Sequence, residues 1–333
     1  MEPANLQQHF FRHIKSILPG HLSLADEVAE LLGISNDSAY RRIRGEKPIT
    51  IEEIQKLCAH FHISFDQLIN ANSDSTVFFG KNLDGDNFDC EKYLDYLLGN
   101  LKLIANAKEK MFYYEAKDMP LFYYFLHDEL AAFKLFFWIK TVLLCKGYSK
   151  MQFEDQELSG LIHKKGIEII RAYNKIPSSE IWSVDTLKAT VRQIDYYSYT
   201  GVIRKKETIE LLYAQLEQTI EHLREQAEYG EKFTTGQKPL GNENYHFYYN
   251  EWFLGNNTVL VEADGVQTVY VNHSVMNQLI THDSEFCSFT KKSLHNIMKK
   301  SLLISSVGEK ERNRFFNKLL LEIRHSKNEV LKG

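Results

Sequence analysis

Residues 24–45 read LADEVAELLGISNDSAYRRIRG, and the fold of the N-terminal region turns on this stretch. Leu24, Val28, Leu31 and Leu32 recur at helical spacing, with Ser23 at the N-cap position and Glu27 placed to support the first turn. Gly33 stops that helix, because glycine adopts the left-handed backbone that ends a helix without a steric penalty. Ser35 caps the next helix, which runs to Arg44 and is ended by Gly45. Ala39 and Ile43, four apart, give it one side to bury, and Asn36, Asp37, Ser38, Tyr40, Arg41, Arg42 and Arg44 are left for the other faces. The short turn Gly33-Ile34-Ser35 between the helices gives helix-turn-helix spacing.

Working outward, Leu6–Ile17 forms an earlier helix ended by Pro19-Gly20. Thr50 opens another, with Glu53 completing a capping box and Ile51, Ile54, Leu57, Cys58 and Phe61 forming its apolar stripe. Ser64 caps a short fifth helix through Leu68, so residues 1–70 are expected to make a five-helix domain. In helix-turn-helix docking the N-terminal residues of the second helix meet base edges. Asn36, Ser38, Tyr40 and Arg41 are therefore the candidates for base contact: arginine pairs bidentately with guanine and asparagine with adenine. Arg42, Arg44 and Lys47, nearer the helix end, are placed for phosphates, which position the protein without specifying sequence.

Residues 24–69 resemble the Cro/phage-repressor helix-turn-helix family, often named for xenobiotic response elements. The resemblance rests on Leu24 to Ser35, on Ala39-Tyr40-Arg41 and Arg44-Gly45, on Ile49 to Cys58 and on Ser64 to Ile69. It implies a five-helix bundle that binds operator DNA in the major groove, usually as a homodimer, in a bacterial transcription regulator. The sequence departs from the pattern at Ala25 and Asp26, where many members carry glutamine, and at Asp37, whose carboxylate repels phosphate unless it reads a cytosine amino group. Through Asn70 there are seven Lys/Arg against nine Asp/Glu, so the basic character is local to Arg41–Lys47.

The whole chain has 333 residues, a formal charge of −4, 25% charged and 13% aromatic residues, a composition ordinary for a globular protein except for its rings. Residues 71–90 read as a polar linker around Val77-Phe78-Phe79. Residues 91–232 read as an all-helical domain for sensing or dimerisation, with helices near 91–109, 120–145, 154–173, 179–199 and 205–229. Its aromatic runs, such as Leu121 to Phe125 and Phe136-Phe137-Trp138, serve a core, an interface or a pocket for an effector. The stripe Ile209, Leu212, Leu216, Ile220, Leu223 and Ala227 serves packing within the chain or pairing with a twin helix. Residues 233–333 read as an α+β part with a small antiparallel sheet: Thr258–Ala263 and Val266–Val271 flank the hairpin dipeptide Asp264-Gly265, and helices follow near 288–303 and 309–326. The expected fold class is thus mainly α.

Competing chemistries fail on spacing. Cys58, Cys90, Cys145 and Cys287 are far apart, which fits buried thiols in the cytoplasm and no zinc knuckle. His9 and His13 lack a third metal ligand at fixed spacing. Asp84-Gly85-Asp86 fails as a calcium loop at Asp89 and Asp95, and Gly230–Lys238 fails as a phosphate loop at Gln237 and Pro239. No stretch reads as a membrane span. No cofactor, metal or catalysis is expected. From Lys291 onward eleven Lys/Arg face four Asp/Glu, either as solvated helix faces or as a second DNA-facing surface. The sequence therefore predicts a sequence-specific DNA-binding transcription regulator. The alternative is a protein- or peptide-binding module in which DNA binding is secondary.

Overall fold

The computed structural model describes residues 3–18, 22–61, 63, 76–80, 83–252, 254–274 and 276–332. The chain divides into two compact units, Met1–Val77 and Phe78–Gly333. The first holds α1 (Pro3–Ile17), α2 (Leu24–Leu32), α3 (Asn36–Ile43) and α4 (Ile51–Phe61). Phe10, Phe11, Ile14, Val28, Ala29, Ala39, Leu57 and Ile63 make its core. The fifth helix expected from Ser64 to Leu68 lies outside the described residues. Ile51 leaves the stripe predicted for α4: it occupies the first helical position, ahead of the turn that meets the core, and is 80% exposed.

The second unit opens with α5 (Cys90–Asn106), capped by Asp89, whose side chain accepts from the Lys92 N–H. It continues through β1 (Lys110–Ala116), α6 (Leu121–Tyr124), α7 (Asp128–Phe137), α8 (Leu158–Asn174), β2 (Ser178–Trp182), α9 (Lys188–Tyr199) and α10 (Lys206–Tyr229). Then come β3 (Tyr245–Tyr249), β4 (Thr258–Ala263), β5 (Val266–Asn272), β6 (Gln278–Thr281), α11 (Ser284–Lys299), β7 (Leu302–Leu303) and α12 (Glu309–Lys332). One sheet runs in the order β6-β5-β4-β1-β2-β3-β7. Its centre, β1-β2-β3, is parallel, and the pairs on either side are antiparallel.

The mainly helical expectation holds, with corrections inside it. The segment 91–232 is not all helical, and the sheet is mixed instead of purely antiparallel: β1 and β2 come from that segment and form its centre. Residues 91–232 and 233–333 therefore share one sheet and one core. Parallel strands need helical crossovers, which place helices on the sheet faces and bury the strands on both sides. All five residues of β2 are buried accordingly. Along β1, Phe112, Tyr114 and Ala116 face the large helical layer, while Tyr113 packs with Ile181 and Cys287 in the cluster that seats α11. The single helix expected over 120–145 is broken into α6, α7 and a π-helical turn at Trp138–Val142. Every residue from Leu130 to Phe136 in α7 is buried, so this stretch lacks the one-sided stripe of a surface helix.

Other expectations stand. Asp264 (φ 46°) and Gly265 (φ 83°) make the tight turn of the β4–β5 hairpin. Val259, Val261 and Ala263 pair with Tyr270, Thr268 and Val266 as the alternation predicts. The α10 stripe, from Ile209 to Ala227, is buried within this chain, and α10 packs on α12; of the four free cysteines Cys145 and Cys287 are buried as expected, while Cys58 and Cys90 are only partly so. Among the described residues no helix is long and apolar enough to cross a membrane.

The polar centre of β2 explains why sequence periodicity missed it. Glu180 is fully buried and accepts from Tyr123 Oη (2.6 Å), Tyr173 Oη (2.5 Å) and Trp182 Nε1 (2.8 Å). Lys232 is buried above the Tyr173 ring, 3.7 Å from its centroid, and donates to the Tyr173 carbonyl at 3.0 Å. A buried carboxylate is tolerated because these donors replace its water. Burial pushes the Lys232 ammonium down from 10.5 to about 7, against the opposing pull of Glu180.

This shift sets the sign of a pH dependence. Above about pH 7 the native lysine has released its proton while the unfolded one keeps it, so stability rises with pH until the unfolded lysine titrates near 10.5. Denaturant midpoints at pH 7 and pH 9 should separate wild type from Lys232→Met. Wild type gains on the order of 1 kcal/mol per pH unit relative to the variant; parallel profiles would contradict the buried-ammonium account.

Candidate nucleic-acid interface

The α2–α3 turn is fixed by backbone chemistry. Gly33 takes φ 65°, ψ 39°, its N–H bonds Glu30 O at 3.3 Å, and the Ile34 N–H bonds Ala29 O at 3.0 Å. This six-to-one and five-to-two pairing satisfies the last carbonyls of α2 and turns the chain at once. Ser23 sits at the N-cap of α2 but makes no side-chain cap bond. Ser35 does cap α3, accepting from the Ser38 N–H at 3.3 Å.

Eight residues are too few for a helix that holds itself in water, so α3 depends on what lies behind it. Ala39 is wholly buried in the N-terminal core. Arg42 grips Glu53 of α4 in two parallel bonds, Nε to Oε2 at 2.9 Å and Nη2 to Oε1 at 2.6 Å. Glu53 also accepts from the Thr50 N–H at 3.1 Å and returns its own N–H to Thr50 Oγ1 at 3.3 Å, the capping box read from the sequence. The hydrogen-bonded Arg42 guanidinium is the chief reason the Glu53 carboxyl lies below its ordinary 4.5.

Helix α1 secures the other end. Gln7 Nε2 donates to the carbonyls of Arg42 (2.7 Å) and Lys47 (2.8 Å), and Gln7 Oε1 accepts from the Ile49 N–H (3.1 Å). Gln8 Nε2 donates to Arg44 O at 2.8 Å. These amides clamp the chain that leaves α3.

The clamps determine what faces solvent. Asn36, Asp37, Tyr40, Arg41 and Arg44 are exposed, and their spacing puts them on adjoining rows of one helix face. Tyr40 is 51% exposed. Asn36 Nδ2 donates to Asp26 Oδ1 of α2 at 2.8 Å, which orients the amide. Ser38 is half-buried and takes part in the cap with Ser35. Lys47 is exposed beyond the helix. Arg42 stands apart from the set: it is buried, and its guanidinium is spent on Glu53, so it does not join the exposed phosphate-facing group expected of it. Glu46 lies beside the arginines, 3.0 Å from Arg44 Nε and 3.9 Å from Arg41 Nε. Three cations (Arg41, Arg44, Lys47) and two carboxylates (Asp37, Glu46) thus leave this surface weakly positive, a net of +1.

Sequence reasoning missed Gln7, Gln8, Asp26, Glu46 and the second partner of Glu53. Only the capping spacing of Glu53 was visible; its bond to Arg42 spans eleven residues and a loop. Of the basic residues from Lys291 onward, Lys291 binds Glu262, Arg312 donates to backbone carbonyls, and Arg314 and Arg324 meet Glu251 and Glu217, while Lys292, Lys299 and Lys300 are exposed. Among the described residues no cluster of His, Cys, Asp and Glu could hold a metal.

Comparison with known families matches residues 20–82 to the BetR domain, a helix-turn-helix-type DNA-binding domain. No curated protein and no solved structure matches the chain.

Glu53→Gln keeps the shape of the side chain but gives up the charge that holds Arg42. Hydrogen exchange of the α3 amides in the full chain should speed up, reporting a loss of about 1–3 kcal/mol. In wild type the same protection is full above pH 4.5 and falls as the pH drops below it, because the native Glu53 pKa is the lower one. Unchanged exchange in the variant would remove this pair from the scaffold of α3.

Proposed function

We propose that this chain is a transcription regulator that reads a specific DNA sequence by laying α3 in the major groove. In this reading Asn36, Ser38, Tyr40 and Arg41 meet base edges, and Arg44 and Lys47 meet phosphates. Arg42 acts as a positioning residue behind them. The carrying observation is the exposed polar face of α3 on a helix clamped from behind by Glu53 and Gln7, inside the stretch that matches a DNA-binding domain. The likeness to Cro/phage-repressor domains supports the docking mode.

The reading extends to a cytoplasmic homodimer on half-sites about one helical turn apart, with the second unit carrying dimerisation and response to an effector. It includes no catalytic step. The weak positive charge of the surface favours recognition through base contacts over bulk phosphate attraction. That same charge favours the second reading, a protein-contact module; a binding-site selection from random duplex DNA separates the two.

Selection should return a defined motif, and electrophoretic shift should then grade the variants. Arg41→Ala should cost about 1–3 kcal/mol on the selected site and relax preference at one base pair. Lys47→Ala should weaken all sequences alike and flatten the salt dependence by about one unit of slope. A chain that retains no duplex at low salt, or an Arg41→Ala protein with unaltered preference, ends the DNA-reading proposal.

Glu46→Gln frees Arg41 and Arg44 from their carboxylate. Because these pairs are exposed, the gain in DNA affinity should be several-fold at most, about 1 kcal/mol or less, with a steeper salt slope. Weaker binding of this variant would mean that Glu46 contacts the duplex favourably.

A further inference from the structure

The second unit contains a cavity of about 410 Å³ between the large-layer face of the sheet and the helices over it, a volume in the range of small-molecule sites. Its apolar wall includes Leu97 and Leu101 of α5, Phe112 of β1, Val259 and Val261 of β4 and Tyr270 of β5. Lys134 and Trp138, one helical turn apart, also line it.

These two side chains are what an internal filler would not need. Lys134 is only 3% exposed, yet its ammonium bonds neutral oxygens, Gln193 Oε1 at 2.8 Å and Thr190 Oγ1 at 3.4 Å. Among the described residues no carboxylate forms an ion pair with it; Asp118, also on the cavity wall, acts on it only through its field and is engaged by Asn257. Trp138 Nε1 is buried and, among the described residues, donates to nothing. A buried cation without a close counter-charge is unfavourable, and an anion placed beside it in the cavity relieves it. The rings of Tyr124 and Trp138 lie 5.0 and 5.4 Å from the ammonium and supply part of its stabilisation meanwhile. The regular helix also gives way at this point, Trp138 opening the π-helical turn, a distortion frequent at binding sites.

We infer that this cavity binds a small amphipathic carboxylic acid, its carboxylate taken by Lys134 Nζ and its apolar body by the wall of Leu97, Phe112, Val261 and Tyr270. The inference goes beyond the DNA reading and stands on the second unit alone.

The test is calorimetric titration of the full chain, without DNA, using two acids and their neutral counterparts: decanoate against decanol, and 1-naphthaleneacetate against 1-naphthaleneacetamide. At least one acid should bind, and at least about tenfold more tightly than its counterpart, as a charge-assisted contact requires. Lys134→Met should erase that preference and leave the affinity for the neutral compound unaffected. Should Lys134→Met fail to fold, the acid–neutral comparison on the wild-type chain decides alone. Equal affinity for acid and neutral compound, no binding of either acid, or full affinity in a folded Lys134→Met protein overturns the assignment. Since DNA is absent from the titration, such a failure leaves the role of α3 untouched, and a failure of DNA binding leaves this site standing.

Discussion

An eight-residue helix cannot hold itself, and the N-terminal unit is arranged around that constraint. Helix α3 is kept by Ala39 and Ile43 against the core, by one charge pair, Arg42 with Glu53, and by the amides of Gln7 and Gln8 on the chain that leaves it. The pair is bidentate and nearly dry on the arginine side, so it fixes rotation about the helix axis as well as position. Rotation decides which side chains face solvent. With Arg42 pointing inward, Tyr40, Arg41 and Arg44 must point outward.

That inward commitment also divides three neighbouring arginines into different roles. Arg41 and Arg44 remain exposed surface cations near Glu46, while Arg42 has become part of the scaffold. A planar five-donor guanidinium suits the buried post, because it can meet both carboxylate oxygens and still donate to the Ser38 carbonyl at 3.3 Å.

The second unit meets a related problem with a larger apparatus. Its parallel centre buries β2 on both faces, yet β2 carries Glu180, so tyrosines from α6 and α8 and the indole of Trp182 supply donors inside the core. The sequence Ser178-Ser179-Glu180-Ile181-Trp182 has neither the continuous apolar run of a buried strand nor the alternation of a half-exposed one. The sequence pattern over 179–199 therefore predicts the start of a helix where the structure has a strand. The β4–β5 hairpin, by contrast, was legible because Asp264-Gly265 and the alternating valines act over a few residues.

By itself the sequence determined the local events: where α2 and α3 begin and end, the capping box at Thr50 and Glu53, the hairpin register, the long amphipathic α10, and the motif whose domain family matches residues 20–82. Each is encoded within a helical turn or a hairpin, where caps, periodicity and glycine act directly on the backbone. Tertiary structure alone decided that Arg42 faces Glu53, that Gln7 clamps the end of α3, that β1 and β2 join a sheet completed far downstream, and that Lys134 and Trp138 line a cavity. Those outcomes are set by partners far along the chain, and the burial that selects among them exists only once the chain has packed.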